Sequence, residues 1–189
     1  SEMCIRDRIT SYDIENRRAK LFNTINAKQA QQNFLVRDIC RATAAAPTYF
    51  SPAQIRSSYG QSFSLIDGGM FANNPALCAY AEARKIPFAD IFENPEKPNY
   101  PAVNDMMIVS LGTGTEMKSY PINKYKNVGK LAWIGPIIDI LLSANAETVD
   151  YQLNQMFMTL GKRNRQNYYR INPSLKTCLL YTSPSPRDA

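Results

Sequence analysis

Apolar and polar positions along this chain fall into blocks whose period changes from two to about three and a half and back. Residues 8–14 and 19–22 are two strand-like runs on either side of the polar turn Glu15-Asn-Arg-Arg18, the pattern of a β-hairpin. From 34 to 46, Leu35, Ile39, Cys40, Ala42 and Ala46 recur at roughly helical spacing, and Pro47 ends the run. Residues 62–66 predict a strand that carries Asp67 at its tip. Gly68 and Gly69 follow, which permit close backbone approach and positive φ, and then Asn73-Asn-Pro75, suited to opening a helix. That helix is predicted over 75–85, with Ala76, Leu77, Ala79, Tyr80, Ala81 and Ala83 on one broad face.

A Pro-rich, acidic stretch over 86–101 reads as a surface loop. Met106-Met-Ile-Val-Ser-Leu111 is a continuous apolar strand, as expected where helices cover both faces of a sheet, and it runs into Gly112-Thr-Gly-Thr115. Between 129 and 160 the apolar positions describe either an acyl-chain groove or membrane-contacting lid or, as the simpler explanation for most of them, helices packed on a sheet. Trp133 and the break at Ile134-Gly-Pro136 are the positions best suited to an interface. The basic run Lys162-Arg-Asn-Arg165 reads as a solvated helix end before a final strand at 167–171.

Composition narrows the chemistry. The 189 residues contain no histidine, so a Ser-His-Asp triad cannot be assembled within them. No apolar run reaches the length of a membrane span. Cys40 and Cys78 sit in helical, apolar settings and read as small core residues, neither disulfide partners nor metal ligands. The net charge of +6 suits contact with an anionic lipid surface and equally an ordinary soluble protein. The Gly112-Thr-Gly114 loop lacks the lysine and following helix of a phosphate cradle, which makes nucleotide binding a weak third reading.

Asp67 is the residue around which chemistry can be built. A carboxylate at a strand tip followed by glycines is either a turn device or a base held at an exposed edge. The string Arg41-Ala-Thr-Ala-Ala-Ala-Pro-Thr-Tyr-Phe-Ser-Pro52, then Asp67-Gly-Gly, Asn73-Asn-Pro75 and Ser110-Leu-Gly-Thr-Gly114, resembles the patatin-like phospholipase family. Trp133, Pro136-Ile-Ile-Asp-Ile-Leu-Leu142, Val149-Asp-Tyr-Gln-Leu153 and Tyr168-Tyr-Arg-Ile171 resemble the C-terminal part of plant and bacterial patatins.

The resemblance implies a three-layer α/β/α sandwich with a mainly parallel sheet, and a lipid acyl hydrolase of the phospholipase A or esterase type. Its Ser-Asp dyad would take its aspartate from Asp67, with Gly68, Gly69, Asn73 and Asn74 shaping the loop or binding substrate, and with no cofactor and no metal. It implies a lipid or other acyl-ester substrate, peripheral membrane contact, and no nucleic-acid partner. Cytoplasmic or peripheral membrane placement is the expectation.

One part of the family pattern is missing. The nucleophile elbow Gly-x-Ser-x-Gly and the Gly-rich oxyanion loop belong upstream of Asp-Gly-Gly, and neither occurs here. The nearest imitation, Gly60-Gln-Ser-Phe-Ser64, lacks the second glycine and falls in the strand leading to Asp67. The expectation is a domain truncated on its N-terminal side, and a polypeptide that is inactive by itself.

The two ends offer an origin for the truncation. Cys178-Leu-Leu-Tyr-Thr-Ser183 can be encoded by TGT CTC TTA TAC ACA TCT, whose reverse complement contains ATG TGT ATA AGA GAC, which encodes Met3-Cys-Ile-Arg-Asp7. Such inverted ends resemble a translated sequencing adapter. Residues 1–8 and 178–189 are therefore expected to be adapter-derived, with 9–177 the C-terminal portion of a patatin-like domain. The other reading is a non-catalytic lipid-binding or interaction module on the same fold.

Overall fold

Strand β1 (Arg8–Asp13) lies between a hairpin partner and a strand some fifty residues away in sequence, at the centre of a four-stranded sheet ordered β2-β1-β4-β3. In this computed structural model residues 7–94, 96, 99–116, 118–159 and 167–175 are described, and the chain divides into two units. The first comprises Ser1–Glu82 with Leu142–Val149, the second Ala83–Leu141 with Asp150–Ala189.

In the first unit β1 pairs antiparallel with β2 (Arg18–Asn23), from Arg8 opposite Asn23 to Asp13 opposite Arg18. Asp13 builds the turn between them. Its carboxylate accepts the backbone N–H groups of Glu15 and Asn16, both at 3.1 Å, and the Asn16 side-chain amide at 2.7 Å. Helix α1 (Val36–Thr43) then crosses the sheet, followed by β3 (Ala53–Arg56) and β4 (Ser62–Asp67), which pair antiparallel. β4 also runs antiparallel to β1, with Ser11 opposite Asp67.

Registered neighbours in an antiparallel sheet share a face, so Ile9, Phe22, Ala53, Ile55, Phe63 and Leu65 point the same way. Phe34, Ala42 and Ala45 close the core over them. Small residues on α1 allow this close approach: Ser11 Oγ lies 3.4 Å from the Ala42 carbonyl, and Thr43 Oγ1 donates to the Thr10 carbonyl at 2.7 Å. After β4 come α2 (Gly69–Ala72) and α3 (Ala76–Ala83).

The second unit holds α4 (Phe88–Phe92), inside the stretch expected to be loop, then β5 (Ile108–Leu111), β6 (Thr115–Glu116) and α5 (Ile122–Tyr125). After a 3-10 turn at Lys130–Trp133 comes the helix α6 (Ile134–Met158), whose residues Leu142–Val149 belong to the first unit. β7 (Tyr168–Ile171) runs parallel to β5, and β8 (Ser174–Leu175) parallel to β6.

The chain is thus α/β, but a mainly parallel sheet is not what the described residues form. The first unit's sheet is antiparallel throughout: 14–17 and 57–61 are tight turns, and only antiparallel neighbours can be joined so briefly, while β1 and β4 pair antiparallel with no such turn between them. Other expectations are also corrected. Cys40 is exposed, since the buried side of α1 is set by Ala42 with Ile39 beside it. Val109 and Leu111 alternate outwards from β5, so this strand is not covered on both faces. The first half of α6 is not packed core either, with Leu131 before it and Ile134, Ile137, Ile140 and Leu141 within it all exposed. No break occurs at Pro136, because it stands in the first helical turn, where no backbone N–H is required. Residues 162–165, 1–6 and 178–189 lie outside the described residues.

Candidate active site

Asp67 ends β4, and two backbone ties fix where it stands. Its N–H donates to the Ala45 carbonyl at 3.0 Å, which anchors the strand tip to the segment just after α1. Its Oδ1 accepts the Gly69 N–H at 2.7 Å, closing an Asx-type turn into α2. Oδ2 accepts no hydrogen bond among the described residues, and the side chain is partly exposed. One carboxylate oxygen is therefore held by the backbone, and the other is not, among the described residues.

Gly68 serves close approach. A Cβ at this position would lie 2.2 Å from Thr10 Oγ1 and 2.3 Å from the Thr10 carbonyl oxygen, so only hydrogen fits between β1 and the turn. Positive φ is not its purpose: Gly68 has φ −66°, and the glycines with positive φ among the described residues are Gly60 and Gly114. At Gly69 the space is looser, with Asn73 Oδ1 and Asp67 Oδ1 each 3.2 Å from such a Cβ.

Asn73 and Asn74 have different tasks. Asn74 is 1% exposed, and its Oδ1 accepts the Ala76 N–H at 3.2 Å, starting α3. Asn73 ties the turn to α6: its side-chain amide donates to the Leu142 carbonyl at 3.0 Å. The partner that sequence reasoning missed is Asn145. Its Oδ1 accepts the Asn73 N–H at 3.0 Å while its amide donates to the Phe71 carbonyl at 2.9 Å. One side chain from α6 thus satisfies both backbone groups of the turn after Asp67, all within the first unit. Nothing local could have marked it, because the residues involved are some seventy positions apart.

Ser62 and Ser64, in the elbow-like string, lie in β4. Ser62 Oγ accepts from Arg56 Nε at 3.3 Å, and Ser64 Oγ donates to Glu15, so both belong to strand pairing and not to a nucleophile turn. The Gly112–Thr115 loop does not form a phosphate cradle. Its N–H groups at Gly112, Gly114 and Thr115 donate to the Ile171 carbonyl, Asn172 Oδ1 and the Pro173 carbonyl at 2.8, 2.9 and 2.9 Å. No group of three or more metal-ligating side chains occurs among the described residues.

The family model described as patatin-like phospholipase matches residues 5–80, which include α1, β4 and the Asp67 turn. Over these residues the chain is similar to the patatin-like phospholipase family. Similar proteins include "Probable inactive patatin-3-Kuras 1" of Solanum tuberosum, 32% identical over 178 residues, covering 89% of this chain and 46% of the relative. "Patatin-like protein 3" of Arabidopsis thaliana is 32% identical over 178 residues, covering 87% and 40%. "Patatin-like protein 2" of Oryza sativa subsp. indica is 34% identical over 179 residues, covering 86% and 43%. The chain spans a little under half the length of the curated relatives it matches.

Proposed function

We propose that these residues come from a lipid acyl hydrolase in which Asp67 is the general base of a Ser-Asp dyad. The serine would stand in a Gly-x-Ser-x-Gly elbow upstream of residue 9, and 9–177 would be the C-terminal portion of a three-layer α/β/α domain. The observation that carries this reading is the Asp67 carboxylate itself, with Oδ1 fixed by the Gly69 N–H and Oδ2 open at a strand tip.

In that reaction Asp67 Oδ2 takes the proton of the serine hydroxyl as its oxygen attacks the ester carbonyl. The tetrahedral adduct collapses to an acyl-enzyme, and the protonated Asp67 returns the proton to the departing alcohol. Water, deprotonated by the same carboxylate, then attacks the acyl carbonyl; the bond to the serine oxygen breaks, Asp67 gives that oxygen the proton, and the fatty acid leaves. The polypeptide of 189 residues has no such elbow and is proposed to be inert. Its substrates are proposed to be phospholipids or related acyl esters, met from the cytoplasmic side or at a membrane surface. No helix among the described residues is long and apolar enough to cross a membrane.

The test is hydrolysis of a short-chain chromogenic ester by the longer parent protein. Asp67→Asn is expected to lower kcat by roughly 10²- to 10⁴-fold with the fold intact, the usual worth of a general base. Activity indifferent to this change sinks the dyad.

A second reading, a non-catalytic lipid-binding module, is favoured by two observations. The Asp67–Gly69 hydrogen bond is also a complete structural task for an Asx turn, and one relative is named as probably inactive. A substituted serine in the parent's elbow would decide for it.

A further inference from the structure

Residues 118–141 of the second unit combine features that the Asp67 site does not use. Ile122, Leu131, Ile134, Ile137, Ile140 and Leu141 are all exposed, Leu131 at 84% and Ile122 at 73%. Ile134, Ile137 and Leu141 recur at the three- and four-residue spacing that places them along one side of α6. Leaving this much apolar surface in water is costly, and exposed apolar side chains gathered in one short stretch mark a contact.

The surroundings say which contact. Lys124, Lys126 and Lys130 are exposed within the same stretch, Lys118 stands at its start, and Asp139 is its one acidic residue. Asp139 is itself occupied, accepting the Tyr120 hydroxyl at 2.6 Å. The Tyr120 and Tyr125 rings meet edge to face with centroids 5.4 Å apart, and Tyr125 lies against Trp133 at 5.3 Å. This aromatic chain ties α5, the 3-10 turn and the first turns of α6 into one platform. It carries lysines and apolar side chains together, with half-buried Tyr and Trp beside them. Aromatic rings of this kind suit the boundary between water and lipid, and lysines beside exposed apolar side chains suit anionic headgroups.

We propose that residues 118–141 form an interfacial anchor for an anionic lipid surface, with Leu131 and Ile134 entering the acyl boundary and Lys124, Lys126 and Lys130 meeting the headgroups. The inference rests on the lipid-directed reading above. Its test has no catalytic readout, so loss of the hydrolase reading with vesicle binding intact removes only the enzyme.

The longer parent protein would be sedimented with vesicles of phosphatidylcholine alone and of phosphatidylcholine with about 30% phosphatidylserine. Binding is expected to the anionic vesicles, at least about tenfold weaker to the neutral ones, and to fall as salt rises from about 0.1 to 0.5 M. The triple variant Lys124→Glu, Lys126→Glu, Lys130→Glu should lose binding on the order of 100-fold. Leu131→Asp with Ile134→Asp should lose at least about tenfold through apolar contact alone. Circular dichroism checks that each variant keeps its helices; the lysines are exposed, so the charge set carries the test should the apolar pair misfold. The proposal is overturned if the wild type does not pellet, or if the folded variants pellet equally well. It is also overturned if the patch drives only self-association, seen as a concentration-dependent sedimentation coefficient that Leu131→Asp abolishes without any vesicle binding.

Discussion

Gly68 is pressed against Thr10: a Cβ on the glycine would stand 2.3 Å from the Thr10 carbonyl oxygen, a backbone atom that cannot swing aside. At Gly69 the nearest atoms to such a Cβ are side-chain oxygens at 3.2 Å, which can yield by a few tenths of an ångström. Two adjacent glycines therefore have unequal tolerance. Gly68→Ala is expected to destabilise the first unit by about 1–3 kcal/mol through overpacking, and Gly69→Ala by clearly less. Urea denaturation of both variants checks the order, and equal midpoints would contradict it.

Asn145 holds the turn after Asp67 from a helix far along the chain. Asn145→Ala leaves the Asn73 N–H and the Phe71 carbonyl without that partner and is expected to cost about 1–3 kcal/mol. Hydrogen exchange at the Asn73 amide gives the sharper reading. It should quicken in the variant while amides in the middle of β1 keep their protection.

Asp13 should make stability depend on acid. Burial opposes its charge, but the Asn16 side chain, the backbone N–H groups of Asn16 and Glu15 and nearby Arg18 outweigh that and hold the carboxyl below its ordinary value. A value depressed by folding contributes stability above the ordinary value of 3.8, and that contribution disappears as pH falls through the lower folded value. Asp13→Asn should be less stable than wild type at neutral pH, with the gap closing below about pH 4. Denaturation series at several pH values would show it, and a gap unchanged by acid would refute it.

Lys20 should act at the other end of the scale. It lies on the core side of the sheet, its Nζ 4.2 Å from the Phe63 ring centroid and 2.9 Å from Gln32 Oε1. Burial first, then Arg18, push its pKa down, with Asp13 opposing. The folded value is below the unfolded one, so Lys20 costs least when both states are neutral, and its cost grows as pH falls from the unfolded value to the folded one and is constant below that. Relative to Lys20→Met, wild type should gain stability as pH rises towards the ordinary lysine value of 10.5. A difference that stays flat over that range would exclude the effect.

Parts of this fold could be read without coordinates because their signals are local. The 8–14 and 19–22 runs give the β1–β2 hairpin, since Asp13 and Asn16 make their own turn. The apolar run into Asp67 is β4, and Asn74 caps α3 through an N–H only two residues away. Helix α4 was hidden in a stretch of prolines and acidic residues, where composition outweighs a five-residue element.

Alternation and caps belong to a few consecutive residues, and so the order of residues is enough to establish that Asp67 ends a strand, that glycines follow it in its turn and that no histidine is at hand. Which strands lie beside β4 was decided only in three dimensions. β1 pairs with it in an antiparallel register that no turn imposes, and that register brings Thr10 onto Gly68. Tertiary structure also chose Asn145 as the brace of the Asp67 turn and left Leu131 and Ile134 uncovered. The reason is the same in each case: apolar period tells which residues seek burial, whereas burial itself and hydrogen bonds across long sequence separation depend on what the rest of the chain brings alongside.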